Sequence, residues 1–119
     1  MNSSIPTILY TLALDTPPIG GQRVSACITY KHRIISVGTN IRKTDPFQKR
    51  FGKTSEHIYL HAEILALKRA LYLLTPDQLA KCTLYVVRLT KGGVSAPATP
   101  CIGCQKALYT FGITNIIAT

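Results

Sequence analysis

Residues 83 to 118 read TLYVVRLTKGGVSAPATPCIGCQKALYTFGITNIIA, and this stretch decides the fold. TLYVVRLT, residues 83–90, is rich in β-branched and aromatic side chains and reads as a strand. Lys91-Gly92-Gly93 breaks it. A helix opens near Pro100-Cys101 and runs to Phe111, where Gly112 stops it, and residues 113–118 form a last strand. A strand, a helix and a second strand in the same sheet require a crossover, so these two strands are predicted to be parallel. Working outward, residues 58–74 (IYLHAEILALKRALYLL) carry Ile64, Leu67, Leu71 and Leu74 at helical spacing, with Thr75-Pro76-Asp77 closing the helix. Arg23 to Tyr30 and Arg33 to Thr39 are β-branched runs separated by Lys31-His32, the pattern of a hairpin. Residues 4–14 read as a first helix, ended by Pro17, Pro18, Gly20 and Gly21. The order α-β-β-α-β-α-β predicts an α/β sandwich, folded as one domain over residues 1–119.

Composition narrows the class of protein. The chain has 119 residues, 46% of them hydrophobic, which is ordinary for a domain with a sizeable core. No apolar run approaches the roughly 20 residues of a membrane span. The apolar stretch Ile8 to Leu14 lacks the basic flank and cleavage site of a signal peptide, so a cytoplasmic protein without a membrane partner is expected. Four cysteines without a secretory signal read as metal ligands or redox groups where they are close in sequence, which singles out Cys101 and Cys104. Cys27 and Cys82 sit in apolar strand-like segments and read as small buried hydrophobes. Fourteen Lys and Arg against five Asp and Glu leave a net charge of +9, a field that draws polyanions. Oligomeric state is not written in the sequence.

The chemistry is carried by His61-Ala62-Glu63 and Pro100-Cys101-Ile102-Gly103-Cys104, each where a loop or strand enters a helix. Unpaired N–H groups and the helix dipole favour negative charge there, and thiols lose protons more readily. The i, i+3 spacing of Cys101 and Cys104 puts both sulfurs on one side of a helical turn, with Pro100 suited to the first helical position. Two thiolates and one imidazole leave a fourth tetrahedral position for water, the arrangement of catalytic zinc. Zn2+ lowers the pKa of that water toward about 7, and Glu63 is the carboxylate at hand to shuttle protons. Spacing alone does not make His61 and Glu63 converge, since residues two apart on a helix do not share a face.

These two segments, in this order and about 40 residues apart, resemble the H-x-E…P-C-x-x-C signature of the cytidine deaminase superfamily. The resemblance implies a three-layer cytidine-deaminase-like sandwich with a mixed sheet of four to five strands. It implies zinc ligands at His61, Cys101 and Cys104, with Glu63 as general acid/base. It further implies that Asn40 hydrogen-bonds substrate near its sugar and that Ala62 presents a backbone group to the base. The chain ends one strand after the second zinc helix, whereas many relatives continue with a fifth strand and a final helix.

Two other readings use some of the same residues. A thioredoxin-like redox pair explains Cys101 and Cys104 but leaves His61 and Glu63 without a role. A closed structural zinc site of His57, His61 and both cysteines makes a nucleic-acid-binding module in which Glu63 is idle; otherwise His57 is a loop residue and His32 a hairpin-turn residue. For the enzyme, five basic residues (Arg42, Lys43, Lys49, Arg50 and Lys53) interleave with Phe47 and Phe51 in one stretch. The resemblance places that stretch at the active-site mouth, where such groups suit a phosphate backbone and stacked bases. The favoured expectation is hydrolytic deamination of cytosine to uracil in DNA, in a single strand or a flipped-out base. The alternative is a free cytidine, deoxycytidine or (d)CMP deaminase of nucleotide salvage.

Overall fold

The computed structural model describes residues 4–44 and 59–118. Helix α1 spans Ile5–Asp15; the Ser4 hydroxyl caps it by accepting from the Thr7 N–H at 3.2 Å, and Pro6 sits in the first turn, where its missing N–H is harmless. Strands β1 (Gln22–Tyr30) and β2 (Arg33–Thr39) form the antiparallel hairpin expected from the sequence. Its two-residue turn puts Lys31 and His32 at φ 51° and 65°, the left-handed pair that a type I′ hairpin requires.

Strands β3 (Ile41–Thr44) and β4 (Tyr59–Leu60) form a separate two-stranded ribbon leading into α2 (Ala62–Leu71). The helix expected over 58–74 is therefore shorter at both ends. Leu60 pairs with Ile41 instead of turning helically, and beyond Tyr72 the chain leaves the helix because Thr75 caps a new turn. That turn, α3 (Pro76–Leu79), holds a capping box: the Thr75 hydroxyl accepts from the Gln78 N–H, and the Gln78 side-chain oxygen accepts from the Thr75 N–H. Apolar periodicity located the helix but not its ends, which local hydrogen bonds decide.

Strand β5 occupies Thr83–Thr90, as read from the sequence, followed by the short β6 (Ser95–Ala96), helix α4 (Ile102–Thr110) and β7 (Asn115–Ala118). Gly112 at φ 93° closes α4, and Ile113 is buried in the core beneath it, so the last strand starts two residues later than its apolar run suggested. The main sheet has the order β2-β1-β5, with β6 antiparallel and β7 parallel on the remaining edge of β5. It is thus a mixed, five-stranded sheet, with the parallel pair where the crossover argument put it.

Alternation along the strands builds the three layers. Val24, Ala26 and Ile28 of β1, with Leu84 and Val86 of β5, pack against Ile64, Ala66 and Leu67 of α2 and Ala107 and Leu108 of α4. Cys27, Val87 and Leu89 point the other way and meet Leu9 and Ala13, one turn apart on α1. Two buried hydroxyls tie helices to the sheet: Ser25 Oγ donates to Leu9 O at 2.6 Å, and Ser36 Oγ to Ala66 O at 2.7 Å. Among the described residues no helix is long and apolar enough to cross a membrane.

Candidate metal centre

Close packing of β2 on α2 sets the height of the site. A Cβ on Gly38 would stand 2.7 Å from the Ala66 nitrogen, 3.0 Å from the Leu65 Cβ and nearer still to the Ala62 carbonyl oxygen. Only glycine lets the strand lie this close to the first turn of α2. The residue just before that turn, His61, is the N-cap of α2 with extended backbone (φ −82°, ψ 154°). Because it lies outside the helix, its side chain is freed from helical spacing. That answers how His61 and Glu63, two residues apart, face one region.

Cys101 plays the matching part for α4. It is the N-cap (φ −64°, ψ 164°), and its sulfur accepts from the Cys104 N–H at 3.4 Å. Pro100 therefore precedes the cap and does not take the first helical position, which Ile102 holds. Cys104 is one turn into the helix and buried. The His61 Nδ1 lies 3.2 Å from the Cys104 Sγ and 3.6 Å from the Cys101 Sγ, and the three donor atoms all fall within 4.8 Å of one another. A tetrahedral zinc ion with bonds of about 2.0 Å to nitrogen and 2.3 Å to sulfur spaces its donors by roughly 3.5 to 3.8 Å. The donor set and its dimensions fit zinc, with three protein ligands and one position left over.

The electrostatics agree. Hydrogen bonding from Cys104 outweighs burial and, with His61 beside it, pulls the Cys101 thiol from its ordinary 9.0 down to about 3. Burial disfavours a charged His61 ring, but the Cys101 sulfur and the Glu63 carboxylate carry its pKa upward. Glu63, only 2% exposed in the first turn of α2, has its pKa raised chiefly by burial, against the pull of its own backbone N–H and of His61. A buried carboxyl whose proton is held more tightly than usual suits a group that must both take and give protons.

The remaining expected residues fall out as follows. Ala62 is fully buried between His61 and Glu63. Asn40 follows β2, and its amide is engaged with β1: Oδ1 accepts from the Val24 N–H and Nδ2 donates to Gln22 O, both at 3.1 Å. This fixes its orientation and leaves a second Nδ2 hydrogen unused among the described residues. Arg42 and Lys43 lie in β3, while Phe47, Lys49, Arg50, Lys53 and His57 lie outside the described residues. The cluster of metal donors among the described residues consists of His61, Cys101 and Cys104.

One residue escaped the sequence reading. Arg88 alternates with Leu84 and Val86 in β5 and so belongs to the face that carries the site, where its charge acts on both His61 and Glu63. The signal was available: a charged residue at a position whose alternation calls for an apolar one.

Two cysteine sulfurs and an imidazole gathered at two helix N-termini, with a buried carboxyl alongside, form a candidate zinc site with three protein donors. The sequence matches the family described as the cytidine and deoxycytidylate deaminase zinc-binding region over residues 3–119, and the chain belongs to that family. Among solved structures it is similar to guanine deaminase from Bacillus subtilis, with 25% identity and a TM-score of 0.67 over 100% of this chain and 64% of that one. The chain thus spans less than two thirds of that relative's length. It shares its fold with the dCMP deaminase of cyanophage S-TIM5 (18% identity, TM-score 0.58, 99% of this chain and 84% of that one). A point mutant of cytidine deaminase from Mycobacterium tuberculosis has the fold too (15% identity, TM-score 0.56, 98% and 86%). No curated protein matches the sequence.

Proposed function

We propose that the protein is a hydrolytic deaminase that replaces the exocyclic amine of a free nucleoside or nucleotide base by a carbonyl, cytosine being the first candidate. The observation that carries this reading is the triad of His61, Cys101 and Cys104 with Glu63 buried beside it. Zinc in that triad supplies an activated water near neutral pH. The chain's own groups do the rest. Glu63 takes a proton from the attacking water and passes it to the ring nitrogen next to the amine-bearing carbon, then takes the remaining proton from the newly attached hydroxyl and delivers it to the amine. The C–N bond breaks, ammonia leaves, and the carbon keeps the oxygen. Ala62 offers its backbone to the base, and the spare Nδ2 hydrogen of Asn40 offers a donor to the sugar.

Free substrates are favoured by the neighbours, whose names specify guanine, dCMP and cytidine. Part of the positive charge is also structural. The Arg23 guanidinium donates to the carbonyls of Leu14, Thr16 and Lys91, and Arg69 donates to Val37 O at 2.7 Å. A second reading, cytosine in DNA, is favoured by the basic and aromatic run from Arg42 to Lys53 within a +9 chain. The test is to incubate zinc-loaded protein with deoxycytidine, dCMP, guanine and a cytosine-containing DNA oligonucleotide, and to follow ammonia release. Conversion of a free compound is the expected result. Conversion of the oligonucleotide alone overturns it in favour of the second reading.

A further inference from the structure

Hydrogen-bond register aligns four residues in one row across the sheet. Asn40 and Val24 exchange bonds, the Asn40 N–H donating to Val24 O at 3.2 Å while the Val24 N–H donates to Asn40 Oδ1. Val24 is opposite Arg88 in the β1–β5 pairing, and Arg88 is opposite Ala96 in the β5–β6 pairing. With strands about 4.8 Å apart, Asn40 and Arg88 stand about 10 Å from one another, on either side of Val24. Val24 belongs to the same core cluster as Ala62 and Cys104, and the span of the row is on the scale of a nucleoside.

Arg88 differs from the other arginines whose hydrogen bonds are described. Arg23 and Arg69 spend their guanidiniums on backbone carbonyls. The Nε of Arg88 is shut off from solvent and finds no hydrogen-bond partner among the described residues. A buried donor left unpaired carries an uncompensated desolvation cost. A group that enters the site and accepts a hydrogen bond removes that cost, which makes the orphaned donor a mark of where a ligand oxygen belongs.

We propose that Arg88 is a substrate-contacting residue that donates to a ring carbonyl oxygen of the base, and that it restricts the enzyme to bases carrying such a carbonyl. This rests on the deaminase reading above and narrows it. A ring carbonyl brings acceptor lone pairs without a net charge. Cytosine and guanine share the required pattern, an amine-bearing carbon separated by one ring nitrogen from a carbonyl carbon. Adenine has no ring oxygen. One arginine therefore serves both a cytosine-type and a guanine-type base and gives adenine nothing to bind.

The test compares zinc-loaded wild type, Arg88→Met and Arg88→Lys with dCMP, dGMP and dAMP, by turnover and by calorimetric binding. Zinc content and melting temperature are read on the same samples. Wild type is expected to bind dCMP or dGMP and to leave dAMP unbound. Arg88→Met raises KM and Kd for the carbonyl-bearing nucleotide by about ten- to a hundredfold, with a smaller change in kcat, and Arg88→Lys recovers part of the loss. Zinc content stays at the wild-type value, and the melting temperature of Arg88→Met does not fall, since the unpaired donor is gone. The inference is overturned if wild type handles dAMP as well as the other two or binds neither dCMP nor dGMP. It is equally overturned if Arg88→Met binds like wild type or loses zinc. Binding of dCMP or dGMP that depends on Arg88, without turnover of any nucleotide, refutes the deaminase reading and leaves the role of Arg88 intact.

Discussion

Gly38→Ala is the perturbation that most directly tests how the fold holds the site. The added methyl would sit 2.7 Å from the Ala66 nitrogen and closer to the Ala62 oxygen, where ordinary contact begins near 3.4 Å. Both atoms are backbone, so no side chain can swing aside. β2 and α2 must separate by more than about half an ångström, and α2 carries His61 at its cap and Glu63 in its first turn. Overpacking of this kind costs about 1–3 kcal/mol, and rigid backbone partners place this case near the upper value. For 119 residues the entropy of unfolding is about 0.25 kcal/mol/K, so a loss of about 3 kcal/mol lowers the melting temperature by about 12 °C. A displacement approaching 1 Å at the catalytic groups also costs about a hundredfold in kcat/KM. The assay is thermal unfolding by circular dichroism with turnover on the same samples. Gly92→Ala is the control, since its nearest neighbour is the Thr90 hydroxyl at 4.0 Å. If Gly38→Ala melts within 2 °C of wild type, a threshold at roughly a sixth of the expected shift, the account of β2 as a rigid support for α2 is wrong.

Further outcomes follow from the same geometry. Glu63→Gln keeps the shape of the side chain and removes its proton traffic, so turnover falls by about 10⁴-fold while zinc stoichiometry, measured by a chromogenic chelator, does not change. Loss of zinc in that variant would contradict the role given to Glu63. Cys101→Ser loses both metal and the stability linked to it. Zinc at a thousand times its Kd contributes about 4 kcal/mol, or about 16 °C, so a chelator should lower the melting temperature of wild type by that order and leave the variant unmoved. Burial raises the Cys27 thiol from 9.0 to about 11. The unfolded thiol ionises first as pH rises, so this group's contribution to stability is complete below about pH 9 and is lost on the way to about pH 11. Replacing Cys27 by Ala should flatten the decline in denaturation midpoint over that window. An unchanged slope would show that Cys27 is not its source.

The sequence alone carried the order of the main elements, the crossover that makes β5 and β7 parallel, and the identities of His61, Glu63, Cys101 and Cys104. These were legible because they depend on short-range facts: alternation along a strand, recurrence along a helix, and a spacing that stacks two sulfurs on one turn. Element ends were less legible. The β3–β4 ribbon, the early stop of α2 at Leu71 and the cap at Thr75 depend on hydrogen bonds that compete with helical periodicity.

Only the tertiary structure brought His61 to within 3.2 Å of Cys104, a residue 43 positions away. It did so through contacts that no local pattern encodes. A glycine at position 38 is a free choice until α2 is seen lying against it, and Arg88 is one more charge in a basic chain until the register sets it beside Val24 in the row of Asn40. Metal ligation and substrate recognition both require side chains from several elements to meet within a few ångströms. Such convergence is a property of packing, which sums many non-local contacts, whereas the residue types able to do the chemistry are already present in the sequence.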